Sequence, residues 1–274
     1  VGIDDEILKR VTDSYRTIRN TFKNILGNLY DFNDKTDLVQ NWDDLFPADK
    51  WIIARIYQVL KDTTDDFNKY RFHSISQRIF NFINNELSPI YMNIAKDRLY
   101  SDAKTSHERR SAQTALCNVL EVMVRILSPI LSFTCEEVWS YYKADEVESV
   151  QLAGWPKLED FVPHVDEAKL QTALDDYSKL FEIRDAYTRA LEDKVVAGDF
   201  KKSQETGAKI SLPDSYKDVV ESLGANTLEE LFVCSDSEIE YEYDANGNIT
   251  KDLNRKILSI QYNSLNLHSW VRRW

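Results

Sequence analysis

The sequence predicts a mainly α-helical protein: an antiparallel helical bundle over residues 1–145, a connector at 146–165, and a small α/β domain at 166–274. Three observations carry this. Only 7 Gly and 6 Pro stand among 274 residues rich in Leu, Ile, Lys and Glu, which favours helix over a loop-rich β fold. Apolar residues recur at intervals of three and four through the first half. Beyond Gly198 the pattern turns to strands, and Ile239, Tyr241 and Tyr243 alternate with Glu238, Glu240 and Glu242 at a period of two.

The first helix is expected over 4–29, with Leu8, Val11, Tyr15, Ile18, Phe22, Leu26 and Leu29 as its buried stripe. Its other flank carries Lys9, Arg16 and Lys23 one heptad apart, with Arg19 beside them, and no acidic residue between Ser14 and Leu29. Such a flank is either a solvated helix face or a stripe facing phosphates. Pro47 opens a second helix reaching about residue 68. A third runs from about 73 to 99, where Ser88-Pro89 predicts a kink or break. A fourth covers 106–127 and stops at Ser128-Pro129.

The stretch between the third and fourth helices is locally basic, with Lys96, Arg98, Lys104, Arg109 and Arg110 against Asp97, Asp102 and Glu108. Arg109 lies on the core stripe of its helix and is expected to pair with Asp97 across the turn; Arg110 points away. Thr134-Cys-Glu-Glu137 has the form of a capping box opening a short fifth helix. Residues 149–153 read as a short extended piece, and 165–196 as helix. Strands are expected at 208–212, 229–234, 239–243 and 257–262, with Asn246-Gly247 as the turn of a hairpin joining the last two.

The net charge of −12 argues against a protein that coats nucleic acid indiscriminately, but leaves room for a local basic patch. Cys117, Cys135 and Cys234 are distant from one another and form no CxxC pair, which points to a reducing cytoplasm and buried thiols. No signal peptide or membrane span is evident. The chain opens at Val1 without a methionine and reads as a piece of something larger. No phosphate-cradling glycine loop, HExxH or nucleophile elbow occurs, and the four histidines form no triad. No catalytic residue is therefore predicted; a binding or structural module remains.

The residues also resemble a family. Tyr15-Arg-Thr-Ile-Arg-Asn-Thr21, then Leu26-Gly-Asn-Leu29 and Asp31-Phe32, look like the start of the anticodon-binding helical domain of isoleucyl-tRNA synthetases of bacterial type, within the class I synthetases. Leu87-Ser-Pro-Ile-Tyr91 with Lys96-Asp-Arg-Leu-Tyr100, Arg110-Ser-Ala-Gln-Thr114, Pro129 to Trp139, and Ser149 to Pro156 continue in the family's order. Leu228-Glu-Glu-Leu-Phe232 agrees with its C-terminal junction region. Synthetases for valine, leucine and methionine share the bundle, so the same domain of one of those is an alternative. A helical protein-interaction scaffold without a nucleic-acid role is another, supported by the acidic net charge.

The resemblance implies a monomeric, cytoplasmic, membrane-free part of an enzyme that joins isoleucine to its tRNA with ATP. Its partners would be the isoleucine tRNA and an upstream catalytic domain that holds ATP and Mg; that domain and the editing domain are not among these residues. The candidate tRNA-binding residues are Lys9, Arg16, Arg19, Lys23, Lys96, Arg98 and Arg110, with Trp270, Arg272, Arg273 and Trp274 in the tail. Members of the family often end in a small zinc unit, but Trp270 and Arg273 stand where its first two thiolates would fall, and neither binds zinc. No metal or cofactor is expected in this segment.

Overall fold

The computed structural model describes residues 4–143, 147–197, 206–212, 216, 219–221, 231–232, 236–241 and 259–264. The chain divides into two compact units, 1–173 and 174–274. The expected strand at 229–234 is described only at Leu231 and Phe232, which are helical; the Asn246-Gly247 turn and the Trp270–Trp274 tail lie outside the described residues.

The first unit is a helical bundle. Helix α1 (Asp5–Asn28) is capped by Asp4, whose carboxylate accepts from the Glu6 N–H at 3.3 Å, and Asp5 and Glu6 suit its positive end. Only its C-terminal half is buried, through Ile18, Phe22 and Ile25. Leu8 and Val11 are 53% and 63% exposed, contrary to the expected continuous stripe, because no described element packs over that end of the helix. Helix α2 (Pro47–Asn68) takes Pro47 in its first turn, where the missing N–H costs nothing, and buries Trp51, Ile52, Ile53 and Ile56. Helix α3 (Phe72–Phe82) passes without a break into a π-helical segment, Ile83–Tyr91, with Pro89 inside it.

The expected break at Pro89 is thus replaced by a widened turn. Proline cannot serve the usual i−4 pairing, and a π segment relieves that demand. Ile83, Leu87 and Tyr91 are fully buried four residues apart, and these anchors keep the helix in line. Two short helices, α4 (Met92–Ile94) and α5 (Lys96–Tyr100), follow.

Helix α6 (His107–Leu127) is the centre of the bundle: it touches α1, α2, α5 and α7 and is buried almost all round. Ser106 caps it by accepting from the Arg109 N–H at 3.2 Å. Helix α7 (Ser132–Tyr142) starts ahead of the expected capping box, so Thr134 lies inside the helix. There its hydroxyl meets Tyr15 Oη of α1 at 3.0 Å instead of capping anything.

Residues 147–165 fold onto the bundle. Arg125 of α6 donates to the carbonyls of Ala153 and Gly154, both at 3.0 Å, and to Asp160 at 2.9 Å. Trp155 donates to Thr64 at 2.8 Å and packs edge-on against Phe67. The expected extended piece is a 3-10 turn, Val150–Leu152, because Ser149 caps it through the Gln151 N–H. Helix α8 (Glu167–Ala197) spans the boundary between the units.

In the second unit, Tyr177, Leu180, Ile183 and Tyr187 of α8 are buried, and Tyr187 stacks on Phe232 at 4.5 Å. A three-stranded sheet has the order β2 (Asp236–Tyr241), β1 (Thr206–Leu212), β3 (Ser259–Ser264). Strand β1 pairs parallel with β2 and antiparallel with β3. The expected β2–β3 hairpin is therefore corrected: both strands flank β1.

Candidate nucleic-acid interface

Successive helical residues turn about 100°, so residues seven apart fall on one line. Lys9, Arg16 and Lys23 accordingly form an exposed row on α1. Arg16 lies 3.6 Å from Asp13; Lys9 and Lys23 are unpaired among the described residues. Arg19 is exposed and held by Glu137 of α7 through two hydrogen bonds, at 2.5 and 3.0 Å. Those bonds hold the Glu137 carboxyl below the usual range and raise the Arg19 guanidinium further.

The basic stretch 96–110 behaves differently. Arg98 is 7% exposed and clamps the fully buried Asp49 of α2 at 2.8 and 3.1 Å. Tyr91 and Ser111 donate to the same carboxylate, and the Arg98 guanidinium lies over the Phe46 ring at 5.0 Å. Arg98 is therefore withdrawn from the candidate contacts: it balances a buried carboxylate and is almost wholly shielded from solvent.

Arg109 pairs with Asp31 rather than with Asp97, at 3.0 Å, and also donates to the Leu99 carbonyl. Burial would raise the Asp31 pKa, but the hydrogen bonds from Arg109 and Gln113 outweigh it and the net shift is downward. Arg110 is likewise corrected. It is folded back to the Asp31 carbonyl at 3.0 Å and to Asp37 at 3.1 Å, with only 15% of its side chain exposed. Of this stretch, Lys96 and Lys104 stay at the surface, Lys104 over the Tyr30 ring at 5.2 Å.

Beside the α1 row a cleft of about 790 Å³ opens between α1, the 29–34 turn and α7. Phe22, Leu29 and Val138 form its buried floor, and Arg19, Lys23, Tyr30 and Tyr141 stand at its exposed edge. Sequence reading missed Tyr30 and Tyr141. The available signal was a pair of aromatic clusters, Tyr30/Phe32 and Tyr141-Tyr142, each directly after a helix or at its end.

No group of three or more His, Cys, Asp or Glu among the described residues is placed to hold a metal. Burial pushes the Cys117 and Cys135 thiols up to about 12, which opposes the thiolate form that zinc requires. Cys234 and the tail residues Trp270, Arg272, Arg273 and Trp274 lie outside the described residues. No described helix is long and apolar enough to cross a membrane.

The helical bundle belongs to a known class: the chain is a member of the family described as the anticodon-binding domain of tRNA ligase, whose model matches residues 49–211, more than half of its length. Among its relatives are proteins named isoleucine–tRNA ligase. That of Thermoanaerobacter sp. (strain X514) is 38% identical over 242 residues, covering 85% of this chain and 24% of the relative. That of Persephonella marina is 38% identical over 226 residues (81% and 23%), and that of Caldicellulosiruptor saccharolyticus 34% over 244 (87% and 25%). The chain spans about a quarter of the length of these relatives.

Proposed function

We propose that this chain is the tRNA-holding segment of an isoleucine–tRNA ligase, positioning the tRNA so that its acceptor end reaches an active site elsewhere in a longer protein. The observation that carries this reading is likeness to relatives of that one name over 85% of the chain. The exposed Lys9, Arg16 and Lys23 support it by offering phosphates a row of cations roughly 10 Å apart. Lys96 adds a further exposed cation and Arg19 one that is tied to Glu137; the tail residues Trp270, Arg272, Arg273 and Trp274 would add to this surface, since their arginines and indoles suit unpaired bases.

The isoleucine tRNA and the upstream catalytic domain are its partners. The exposed Leu8 and Val11 on α1 suit an apolar contact with that domain. ATP and Mg belong to the catalytic domain; the segment itself works as a cytoplasmic monomer without a metal or cofactor.

The test is binding of an isoleucine tRNA transcript across a salt series. Affinity that falls steeply with salt is expected, because counterions are released from phosphates. Salt-independent binding, or none, would favour the protein-interaction scaffold that the net charge of −12 also allows. The segment alone is expected to give no isoleucine-dependent exchange between ATP and pyrophosphate; exchange above a no-enzyme blank would place catalysis within it.

A further inference from the structure

We infer that one end of the helical bundle, where α1 begins and α6 passes into α7, is an apolar docking face for the upstream catalytic domain. The inference rests on the ligase reading above. It widens the contact at Leu8 and Val11 to a whole surface, whose role is to fix the bundle, and the tRNA it holds, against the active site.

The first observation is a core stripe that outruns its core. At about 100° per residue, Ile7, Leu8, Val11 and Tyr15 fall within the same arc of α1, roughly 100° wide, as Ile18, Phe22 and Ile25. The last three are buried, whereas Ile7, Leu8 and Val11 are 45%, 53% and 63% exposed. One face of one helix is thus sealed over its second half and bare over its first. An apolar stripe that continues past its packing partners is a face shaped for a further partner.

The second observation is where the bare apolar groups gather. Among the described residues, every exposed Leu, Ile, Val and Phe lies at this end of the bundle. The rings exposed at the opposite end, Tyr30, Tyr100 and Tyr141, all carry a hydroxyl. Printed contacts knit the apolar end together. Tyr15 Oη meets Thr134, the neighbour of Phe133, and Phe133 is 95% exposed. Gln151 donates to the Ser128 carbonyl at 3.2 Å, which brings the exposed Leu152 to the α6–α7 turn and its Ile130. Trp155 packs on Phe67, and Phe67 on Phe72, which carries the same surface to the start of α3. Exposed apolar residues scattered singly need no explanation, but a gathered set marks an interaction site.

The occupant follows from charge and from the chain's share of its relatives. Asp4, Asp5 and Glu6 open α1 at this end, and aliphatic side chains offer a phosphate nothing, so RNA does not suit it. The chain spans about a quarter of the length of the isoleucine–tRNA ligases it matches, so most of such a protein lies elsewhere. The chain enters the bundle through α1 at this same end. An upstream domain is therefore tethered beside the face and meets it at a high effective concentration, where even a modest apolar contact suffices.

The test places Leu8→Gln with Val11→Gln, and separately Phe133→Gln, in the 274-residue chain and in the longer ligase that contains it. Glutamine adds no charge and suits a helix. In the chain, both variants should melt like wild type and bind an isoleucine tRNA transcript with unchanged affinity and salt slope. In the ligase, isoleucine-dependent exchange between ATP and pyrophosphate should persist. The kcat/KM for charging tRNA should fall by about 100-fold, the loss that a misplacement of about 1 Å brings. Leu8→Ile with Val11→Ile should charge like wild type. A Val11→Cys variant should react with a thiol reagent readily in the chain and be protected in the ligase, each measured over wild type. Equal labelling of Val11→Cys in chain and ligase overturns the docking face, whatever the charging rates. Weaker tRNA binding by the chain variants overturns it in favour of an RNA surface. A dimer of the chain that Leu8→Gln with Val11→Gln dissolves overturns it in favour of a second copy. A chain that binds no tRNA, with Val11→Cys still protected in the ligase, overturns the tRNA-holding reading and leaves the docking face standing.

Discussion

Two stretches of this chain look alike in sequence and differ in what their charges do. The α1 row, Lys9, Arg16 and Lys23, lies at the surface. The stretch 96–110 carries five cations, as many as the equally long 9–23, yet three of its five are folded inward onto Asp49, Asp31 and Asp37. The acids that neutralise them lie 49, 78 and 73 positions earlier in the chain. Local charge counts therefore separate a binding surface from a structural clamp only when distant carboxylates are also placed.

The largest expected effect tests the clamp. Arg98→Met leaves Asp49 buried without its guanidinium, and breaking a buried pair from one side costs about 3–5 kcal/mol. For a domain of this size that is a fall in melting temperature of roughly 6–20 °C. Adding Asp49→Leu should recover part of the loss, since the two residues act as one unit. A single variant that melts like wild type would return Arg98 to the list of surface cations.

Next comes the α1 row. Changing Lys9, Arg16 and Lys23 together to Glu removes three phosphate contacts, so the slope of log affinity against log salt should flatten by about 2–3 units. These side chains are exposed, so stability should move little, within about 0.5 kcal/mol per site. An unchanged slope in a folded triple variant would remove α1 from the RNA surface and erase the contrast between the two stretches.

What was legible in the sequence follows the same division. Helix existence was readable, because α2 and α6 carry long apolar periods with a Pro47 start and a Ser106 cap. The strand regions near 208, 239 and 257 were readable, that near 239 from its alternation, but their pairing was not. A local Asn-Gly turn argues for neighbours, whereas β1 offers two edges and takes both. The buried fate of Arg98 was invisible for a related reason. A buried guanidinium needs a partner, and nothing local to residues 94–102 reveals that the partner stands in α2. Arg109 shows the same error on a smaller scale: Asp97 is near in sequence, but Asp31 is near in space.

A smaller effect should appear in acid. The Asp31 pKa is lowered in the fold, so its contribution to stability is complete above the ordinary aspartate value of 3.8 and is lost as pH falls through its lower folded value. Asp66, held down chiefly by its hydrogen bond from Arg78, follows the same sign. Melting temperature should therefore decline below pH 3.8, and Asp31→Asn should decline less over the same range from a lower starting point. Parallel pH curves for wild type and variant would mean that Asp31 keeps an ordinary pKa and that Arg109 is not clamped.

The smallest effect concerns Arg19, which stands between the two behaviours. It projects from the same helix as the row, is about half exposed, and yet is tied to Glu137 by two hydrogen bonds. A guanidinium engaged by a carboxylate gives little net attraction to a phosphate. Glu137→Gln should therefore release one cation toward the RNA and steepen the salt slope by about 0.7–0.9 unit, the increment for a single added contact. The melting temperature should hardly move, because exposed pairs contribute little to stability. The hydroxyl contact between Tyr15 and Thr134 still joins α1 to α7 in that variant. Asp13→Asn makes the matching change at Arg16, whose pairing at 3.6 Å is looser, and should steepen the slope by less. If neither variant alters the slope, the RNA does not run along this side of α1. If Glu137→Gln steepens it and Asp13→Asn does not, the phosphates lie toward α7, on the side where the cleft opens.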